Sequence, residues 1–509
     1  MIQTAASIVV VLLLMVVGWQ LPSVKGRQLL FLAASYLLYA NWGIAFLAIL
    51  IISSLMNYAC GWALRRKVTA TRLWLGVTLN LLPLAFFKYL PALLDLGPVG
   101  SWEYDLGHQI LMPIGMSFWA FQGLSYLFDI YYEEELDPSL LEFCLYMAFW
   151  PTVISGPVCR LPRMLPQFRQ LALFNWDDLS TGSLRIVQGV MMKFVLAHIM
   201  ESGWQPGEGI TAGFDQMKGG WGGIDVWLLG IGFGFLLFFD FAGYSHMVIG
   251  TARIFGIRLQ ENFDRPLLST TPSIFWTRWH MSLSFWIRDY VFYPLAAAGR
   301  RYSWWPYVVF IISMTIFGLW HGPKWTYIVY GFYHGVVLVL HRVGQQIKRQ
   351  FTVRLPRYLG AFLSWGTTFL LLAVGFIFFR ANDLTQAWTM LKAAFTPAAY
   401  GHFAMPVSFY ILTSAVAVGY FVVSAGHSLL LSWRARYREA MSERREIPEG
   451  RPVPVANFTL IVGAVIDFFT GRLWWWYAPA LSILAAMAGL VIYTREAVIA
   501  VTPFIYTLF

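Results

Sequence analysis

Charged side chains are scarce in this chain. Asp, Glu, Lys and Arg make up 12% of its 509 residues, whereas hydrophobic residues make up 58%. A soluble domain has about 25% charged residues and about 45–50% apolar residues. The apolar residues here occur in runs of about 20, the length that a helix needs to cross the hydrocarbon core of a bilayer. The composition therefore excludes a soluble enzyme and predicts an all-α membrane protein with many crossings.

Cysteine is almost absent as well. The three cysteines, Cys60, Cys144 and Cys159, lie in or beside apolar segments, without a CxxC pair or a histidine at zinc-finger spacing. This pattern argues against a disulfide framework or a structural zinc site and is typical of small buried hydrophobes. His334 and His341 share a helix face, but no carboxylate stands at metal-ligand spacing beside them. We therefore expect no metal site.

Motifs for binding nucleotides or forming a serine nucleophile are also lacking. The sequence contains neither a GxxxxGK[S/T] phosphate loop nor a GxSxG nucleophile elbow. No soluble segment is long enough to bind a nucleotide by itself. We expect no bound cofactor, so any activated substrate has to bring its own leaving group.

The basic residues mark one side of the membrane. The formal net charge is +10, and the bases concentrate in connections such as 65–72 and 342–357, which predicts that these are cytoplasmic. The loop 434–451 carries six Arg against four Glu and is assigned to the same side. The connections around 103–105, 201–215 and 383 are poor in bases and are assigned to the extracytoplasmic side. Membrane orientation accounts for the charge, so we expect no nucleic-acid partner.

Hydropathy predicts 11 to 13 crossings in a single integral membrane domain, residues 1–509. The first apolar run, 5–19, lacks a basic leader and a small-residue cleavage site, and we expect it to remain as an anchor. The further candidate spans are 28–52, 53–64 (joined to it or separate), 73–95, 111–131, 140–158, 183–201, 225–252, 281–298, 304–320, 325–341, 359–380, 408–431, 455–469 and 474–494.

Glycine and proline interrupt several of these runs. Pro113-Ile114-Gly115, Ser155-Gly156-Pro157 and His321-Gly322-Pro323 lie at membrane depth by hydropathy. A broken helix at that depth survives only where it is buried in protein or lines a wet cavity. The middle of the chain is therefore predicted to be a functional core. No long internal repeat is found, which weakens the interpretation as a secondary transporter.

Phe275 to Tyr290 is the strongest local cluster of polar groups. Read as one helix, Trp276 and His280 are separated by one turn, and Arg288 continues the same stripe, so we predict that His280 and Arg288 face one cavity. Such groups are costly in lipid and have to face protein or water. The alternative interpretation is a structural network of Arg288 and Asp289 at a helix end, with His280 a satisfied core residue.

His321 ends an apolar run directly before a Gly-Pro break. A histidine at such a break can point into a cavity, where its neutral form can take a proton from an attacking hydroxyl group. That is the chemistry that acyl transfer requires. The alternative is an interfacial histidine in an aromatic belt with Trp320 and Trp325. A third cluster contains Asp240, Tyr244 and Ser245, and we predict that the acid accepts hydrogen bonds from Arg or His of the first cluster and shapes the reaction site. A purely structural role is the alternative.

Seven segments together resemble the membrane-bound O-acyltransferase family, over most of residues 28–395. They resemble most its bacterial alginate O-acetyltransferase branch and its branch that transfers D-alanine to teichoic acids. The matching stretches are PIGMSFWAFQGLSYLFDIY from Pro113, SGPVCR from Ser155, FFDFAGYSHMVIG from Phe238, ENFDRPLLS from Glu261, FWTRWHMSLSFWIRDYVFYPL from Phe275, GLWHGPKWTYIVYGFYHG from Gly318 and FFRANDL from Phe378.

The resemblance implies a fold and a site. The fold would be a bundle of about eleven tilted helices with re-entrant elements around a tunnel, with residues 396–509 forming additional C-terminal helices. His321 would be catalytic, with His280 the second histidine of the tunnel. The candidate substrate-binding or tunnel-lining residues are Trp279, Trp320, Arg288, Asp289, Asp240, Tyr244, Ser245 and Gln122.

The resemblance also implies substrates and partners. The donor would be a cytoplasmic thioester, either acetyl-CoA or an acyl carrier protein, and the acceptor a cell-surface polysaccharide reached through periplasmic partner proteins. The location would be the bacterial inner membrane, in contact with its lipids. The length and the FFRA sequence favour acetyl transfer, and D-alanyl transfer to a teichoic acid-type polymer is the alternative. A polysaccharide or lipid transporter, or a non-catalytic scaffold, is the alternative from another class.

Overall fold

The computed structural model describes residues 17–18, 21–95, 97, 99, 101–132, 135–171, 175–205, 207–215, 220–348, 356–424 and 426. No β-strand occurs among them, so the predicted all-α class is confirmed. The helices are α1 Val24–Ala40, α2 Ile44–Arg66, α3 Ala70–Leu94, α4 Trp102–Gln109, α5 Met116–Tyr131, α6 Leu140–Ala148, α7 Leu161–Arg169, α8 Trp176–Val190, α9 His198–Ser202, α10 Ile210–Asp215, α11 Gly223–Ile254, α12 Pro272–Trp276, α13 Met281–Ile287, α14 Tyr293–Ala298, α15 Trp305–His321, α16 Trp325–Lys348, α17 Arg357–Arg380, α18 Leu384–Phe395 and α19 Val407–Ser424.

Short turns of other helix types join some of these elements. A π-helical turn, Met191–Ala197, continues α8 into α9, and a second one, Arg288–Phe292, continues α13 into α14. Two 3-10 turns, Pro266–Leu268 and Pro397–Gly401, lie in the connections.

Several helices begin at side chains that accept a hydrogen bond from the first turn. Ser23 caps α1, Thr69 caps α3 and Asn175 caps α8. At the start of α6, Ser139 and Glu142 form a reciprocal capping box, which satisfies two backbone donors at once. The first N–H groups of a helix have no partner within the helix, so these caps fix where each helix starts.

Six helices within the described ranges are long and apolar enough to cross a membrane: α2, α3, the continuous segment Trp176–Ser202, α11, α17 and α19. The 17-residue helix α15 is apolar but shorter. The protein is therefore a multi-pass membrane protein. The helix α11 is the hub of the bundle, since 83% of its most apolar window is buried against 17–39% for the other five. It packs against α8 and α17.

Three predicted spans have different boundaries in the structure. The run 28–52 is not one span, because α1 ends at Ala40 and α2 begins at Ile44, so that 53–64 belongs to α2. The run 140–158 contains only the short helix α6 followed by turns, and 281–298 contains a π-helical turn between α13 and α14. Hydropathy detects these segments but is insensitive to backbone breaks within them.

The three predicted breaks are confirmed. Residues 110–115 are not helical before α5, residues 149–160 form turns and irregular backbone, and α15 ends at His321. The first two breaks lie side by side, because an added Cβ at Gly115 would come within 2.0 Å of the Val153 carbonyl oxygen. Most of the second segment, 149–160, is buried, and the first segment contacts it through Gly115, although Leu111 is exposed.

Other predictions fall wholly or largely outside the described residues. They are the first run 5–19, the basic loop 434–451, and the spans 455–469 and 474–494. The division into a core, 28–395, and additional C-terminal helices, 396–509, stays a prediction, as does the total of 11 to 13 crossings.

Candidate active site

His321 is the last residue of α15 and is nearly fully buried, with 3% of its surface exposed. With Trp320 it forms part of the wall of a cavity of about 160 Å³. Its ring lies 4.7 Å from the Trp320 ring and 4.9 Å from the Phe379 ring, measured between centroids. Aromatic rings thus fix the orientation of the imidazole, while the cavity leaves room for reacting atoms beside it.

Another part of the cavity wall is formed by the first re-entrant segment and the start of α5. Met112 to Phe118 and Ile154 line it, so the break before α5 and the turn after α6 both reach the site. Gly115 has a φ of 77°, in the left-handed region, and its Cα faces the Val153 carbonyl. A residue with a Cβ would be strained there and would also collide. The backbone of this wall therefore depends on glycine.

The position of α15 is set by a close helix crossing. At Gly318, one turn before His321, an added Cβ would lie 2.2 Å from the Tyr327 carbonyl oxygen of α16 and close to the Gly331 backbone. The absence of a side chain lets the two backbones touch. The contact with α16 therefore fixes the position of His321 along the bundle.

His280 lies beside the same indole as His321. Its ring is 6.2 Å from the Trp320 ring and 4.7 Å from the Phe241 ring, and only 1% of its surface is exposed. Neither ring nitrogen has a hydrogen-bond partner in the part of the chain that the structure describes. Its backbone is left-handed, with a φ of 41°. A non-glycine residue in this region is strained, and such strain clusters at functional sites.

The interpretation of residues 276–288 as one helix is wrong. The helix α12 ends at Trp276, and α13 begins only after His280, so these two residues are not neighbours on one helix face. His280 is enclosed, whereas the Arg288 side chain is 46% exposed. Trp276, His280 and Arg288 have helical spacing in the sequence, but the left-handed backbone at His280 interrupts the helix, so they do not share one face.

Arg288 and Asp289 belong to a separate ionic cluster. The Asp289 carboxylate lies 2.7 Å from the Arg160 guanidinium and 2.7 Å from the Arg288 guanidinium. Nearby, the Val158 N–H donates to the Ser282 hydroxyl at 3.0 Å. The second re-entrant segment is thus joined to α13 and the π-helical turn after it. This agrees with the Arg288–Asp289 network of the alternative interpretation but not with its satisfied His280, whose ring nitrogens have no partner among the described residues.

The acid of the third cluster has a partner that the sequence did not suggest. The Lys193 ammonium, on the π-helical turn after α8, donates to the Asp240 carboxylate of α11. Both side chains are more than nine-tenths buried. The acid is thus paired with a lysine from another helix, and hydrogen bonds from Arg or His of the first cluster stay a prediction.

The remaining candidates are buried polar or aromatic residues near the re-entrant segments. Tyr244 lies beside Ser155, and the Ser245 hydroxyl accepts a hydrogen bond from Asn262 at 3.1 Å. Gln122 is 2% exposed on α5, next to Phe121, whose ring lies 5.8 Å from the Trp320 ring. Trp279 instead stacks on Phe275 at 5.3 Å and packs against Phe263 and Phe376.

The two histidines, the cavity and the re-entrant walls come from segments that match one family. Residues 36–371 match the model of the membrane-bound O-acyltransferase family. The chain belongs to this family. The predicted resemblance is confirmed, and the protein is an acyl-transferring enzyme of the membrane.

Three relatives of the chain have names that differ in the group or the polymer. The chain is 34% identical over 389 residues to the probable alginate O-acetylase AlgI of Azotobacter vinelandii, covering 74% of each protein. The peptidoglycan O-acetyltransferase of Helicobacter pylori is 29% identical over 395 residues, 70% of this chain and 72% of that protein. The teichoic acid D-alanyltransferase of Streptococcus thermophilus is 35% identical over 238 residues, 45% of this chain and 56% of that protein.

Two residues of this O-acyltransferase site were missed in the sequence. Lys88 of α3 lines the cavity beside His321. It carries the only charge in α3 after Arg72, and an isolated charge within an apolar helix is a signal that could have identified it. Phe379 packs on His321 from the FFRANDL segment. The FFRANDL match marks the segment, but nothing in the segment shows that Phe379 faces His321.

Proposed function

We propose that this O-acyltransferase transfers an acetyl group from a cytoplasmic thioester to an acceptor hydroxyl group, for the O-acetylation of a cell-surface polysaccharide. The observation that carries the proposal is the placement of His321. Its imidazole lies in the wall of a cavity, at the end of a helix, where two re-entrant segments meet. A neutral imidazole in such a site is suited to general-base catalysis.

One side chain, acting first as general base and then as general acid, is sufficient for the reaction. The acceptor hydroxyl oxygen attacks the thioester carbonyl carbon while the His321 imidazole takes the hydroxyl proton. The tetrahedral intermediate collapses, the carbon–sulfur bond breaks, and the thiolate receives the proton from the imidazolium. An ester and a free thiol result, with no net change in protons and no acyl-enzyme intermediate. Trp320, which lines the cavity, would hold the reactants next to His321, and His280 behind the Trp320 ring would fix the shape of the site.

A polyanionic donor is supported by the charges on the other side of the protein. The bases near the ends of α2 and α16 lie in connections assigned to the cytoplasmic side. Acetyl-CoA and an acyl carrier protein both bear phosphate groups, which arginine and lysine attract. The donor would be a substrate and not a resident cofactor.

The acceptor route is proposed from the relatives. Their names include alginate and peptidoglycan, which are polymers outside the cytoplasm. We therefore assign the protein to the bacterial inner membrane, acting with periplasmic partner proteins that deliver the group to the polymer. A second candidate function, D-alanyl transfer to a teichoic acid-type polymer, is supported by the D-alanyltransferase relatives. Because the chain belongs to an acyltransferase family, both acetyl transfer and D-alanyl transfer are favoured over the transporter alternative.

The test is acyl transfer by the purified protein in lipid vesicles, with radiolabelled acetyl-CoA or D-alanyl carrier protein as donor. We expect acetyl transfer or thioester cleavage that disappears in His321→Ala. His341→Ala is the matched control, because His341 is on the surface of α16 and bonds to Gln345 at 3.0 Å. Near-normal acetylation by His321→Ala, with equal amounts of protein in the membrane, would contradict the proposed role of His321. Turnover of the D-alanyl donor alone would support the second candidate function.

A further inference from the structure

Two backbone hydrogen bonds join the connection after α11 to the turn that carries His280. The Met281 N–H donates to the Asn262 carbonyl oxygen at 2.9 Å. In the opposite direction, the Asp264 N–H donates to the Arg278 carbonyl oxygen at 3.0 Å. The two bonds enclose His280. We call the two segments joined in this way the clamp.

The clamp contains or adjoins both strained residues of the structure. Arg265 and His280 are the only non-glycine residues with a positive φ in the described part of the chain, at 46° and 41°. Arg265 directly follows one segment of the clamp, and His280 lies within the other. A residue with a side chain keeps this conformation only where its surroundings hold it there. The clamp bonds to the backbone on both sides of His280 and is therefore part of what holds it.

The Asn262 side chain anchors the clamp to α11. Its Nδ2 donates to the Ser245 hydroxyl oxygen at 3.1 Å, and Asn262 is fully buried. Ser245 lies one turn after Phe241 on α11, so the two side chains share a helix face. The Phe241 ring lies 4.7 Å from the His280 ring. One face of α11 thus contacts the His280 ring and also bonds to the clamp around the His280 backbone.

A buried amide at this position does more than fill space. An apolar side chain of similar size would occupy the same volume without needing a polar partner. The hydrogen bond to Ser245, by contrast, is directional and fixes the distance between the clamp and α11. The backbone of Asn262 continues into the carbonyl group that accepts from Met281. The residue next to His280 is therefore connected to α11 through Asn262 alone by two successive hydrogen bonds.

The position of His280 affects the cavity through Trp320. His280 does not line the cavity, but the Trp320 ring, which does, lies 6.2 Å from the His280 ring. A shift of the His280 turn would change the packing behind that indole, directly beside His321. Asn262 itself is not among the residues that line the cavity. Its influence on the reaction therefore has to pass through His280.

We propose that Asn262 is a positioning residue for acyl transfer. Through its bond to Ser245 it holds the left-handed turn of His280, and thereby the His280 ring behind Trp320. This inference rests on the proposed function for the reaction that is measured. The position of His280, however, can be followed without any turnover.

The first test is a double-mutant cycle of Asn262→Ala and His280→Ala. The full-length proteins are placed in lipid vesicles, and kcat and KM are measured for cleavage of radiolabelled acetyl-CoA. We expect Asn262→Ala to lower kcat by about 10-fold, within the roughly 100-fold range of a displaced group, with KM for the donor unchanged. Added to His280→Ala, it should cause less than about a twofold further loss. A residue that acts through His280 has nothing left to position in that background.

Variants of the partner residue and of a distant asparagine complete the set. Ser245→Ala removes the same hydrogen bond from α11 and should reproduce the kinetics of Asn262→Ala, whereas Ser245→Thr keeps a hydroxyl group and should retain most of kcat. Asn80→Ala is the matched control, because Asn80 is also buried and donates to the Asn57 side chain at 2.8 Å. It should lower the melting temperature, since a buried hydrogen bond is lost, but leave kcat per folded protein unchanged.

The second test follows His280 directly by NMR. Spectra of the full-length protein with ¹³C-labelled histidine are recorded in lipid nanodiscs, and the His280 signal is identified by its absence from His280→Ala. Asn262→Ala should shift this signal. Asn80→Ala should leave it in place, because its effect on stability does not reach the clamp.

The proposal is overturned if the losses of kcat from Asn262→Ala and His280→Ala multiply in the double variant, because Asn262 would then act independently of His280. An unmoved His280 signal in Asn262→Ala, or an equal loss of kcat in Asn80→Ala, would overturn it as well. If Asn262→Ala does not fold, Ser245→Ala takes its place in both tests. If the His280 signal moves but the unmodified protein cleaves and transfers no acetyl group, the proposed function fails and the positioning of His280 by Asn262 stands.

Discussion

The surroundings of His321 and of His280 differ although both rings lie against Trp320. His321 ends a regular helix and shares a cavity of about 160 Å³ with Lys88 and the segment before α5. His280 has a strained left-handed backbone and contacts Phe241, and it is not among the residues that line the cavity. Room for reacting atoms is therefore next to His321, whereas His280 is suited to fixing the shape of the site.

The largest effect is expected from exchanging the two histidines for alanine in turn. His321→Ala should reduce acyl transfer by about 10²- to 10⁴-fold, the usual contribution of a general base. His280→Ala should cost roughly 10- to 100-fold, because a displaced group acts through geometry. Initial rates, normalised to the amount of folded protein in the membrane, provide the measurement. Equal losses in the two variants would remove the distinction between the two surroundings.

A change in the cavity wall should have the next largest effect. Gly115→Ala places a Cβ against the Val153 carbonyl oxygen and forces a strained backbone, so we expect about 1–3 kcal/mol of destabilisation together with lost transfer. Gly366→Ala is the matched control, since an added Cβ there meets nothing within 4 Å. Melting curves in detergent and transfer rates test this, and a Gly115→Ala protein with unchanged activity would contradict the role of the first re-entrant segment.

The smallest effect concerns the strain at His280. In the left-handed region glycine avoids the steric cost that alanine bears, partly offset by its greater flexibility in the unfolded chain. His280→Gly should therefore be more stable than His280→Ala by about 0.5–1 kcal/mol, while both lose transfer to the same extent. Identical unfolding midpoints for the two variants would show that the backbone at His280 is not held under strain.

Much of this fold follows from hydropathy and from a few short motifs. The long apolar runs identify the helices, and glycine and proline at Gly115, Pro157 and Pro323 locate the breaks. His321 stands out because a titratable side chain meets a helix break there. These are local properties, and elementary rules of helix formation and of lipid solvation are sufficient to read them.

The features that the sequence did not predict depend on long-range contacts or on a backbone conformation that no residue type indicates. No glycine or asparagine next to His280 indicates a left-handed turn. The helical spacing of the residues therefore predicts a continuous helix through this position. The partner of Asp240 comes from a π-helical turn 47 residues away, and no periodicity within α11 points to it. The distance between Lys88 and Trp320 in sequence, 232 residues, is larger still. Such pairings are decided only when whole helices pack.

The ion pair between Lys193 and Asp240 has a consequence for how the protein enters the membrane. A lone lysine or aspartate at the centre of a helix costs roughly 2.5–3.5 kcal/mol on insertion. Lys193 lies in the π-helical turn that continues α8, Asp240 lies in the middle of α11, and the two charges are of opposite sign. Inserting the two helices as a pair lets the charges neutralise each other before either helix faces lipid. Biogenesis should then be most efficient when the earlier helix is retained at the insertion machinery until the later one has been synthesised.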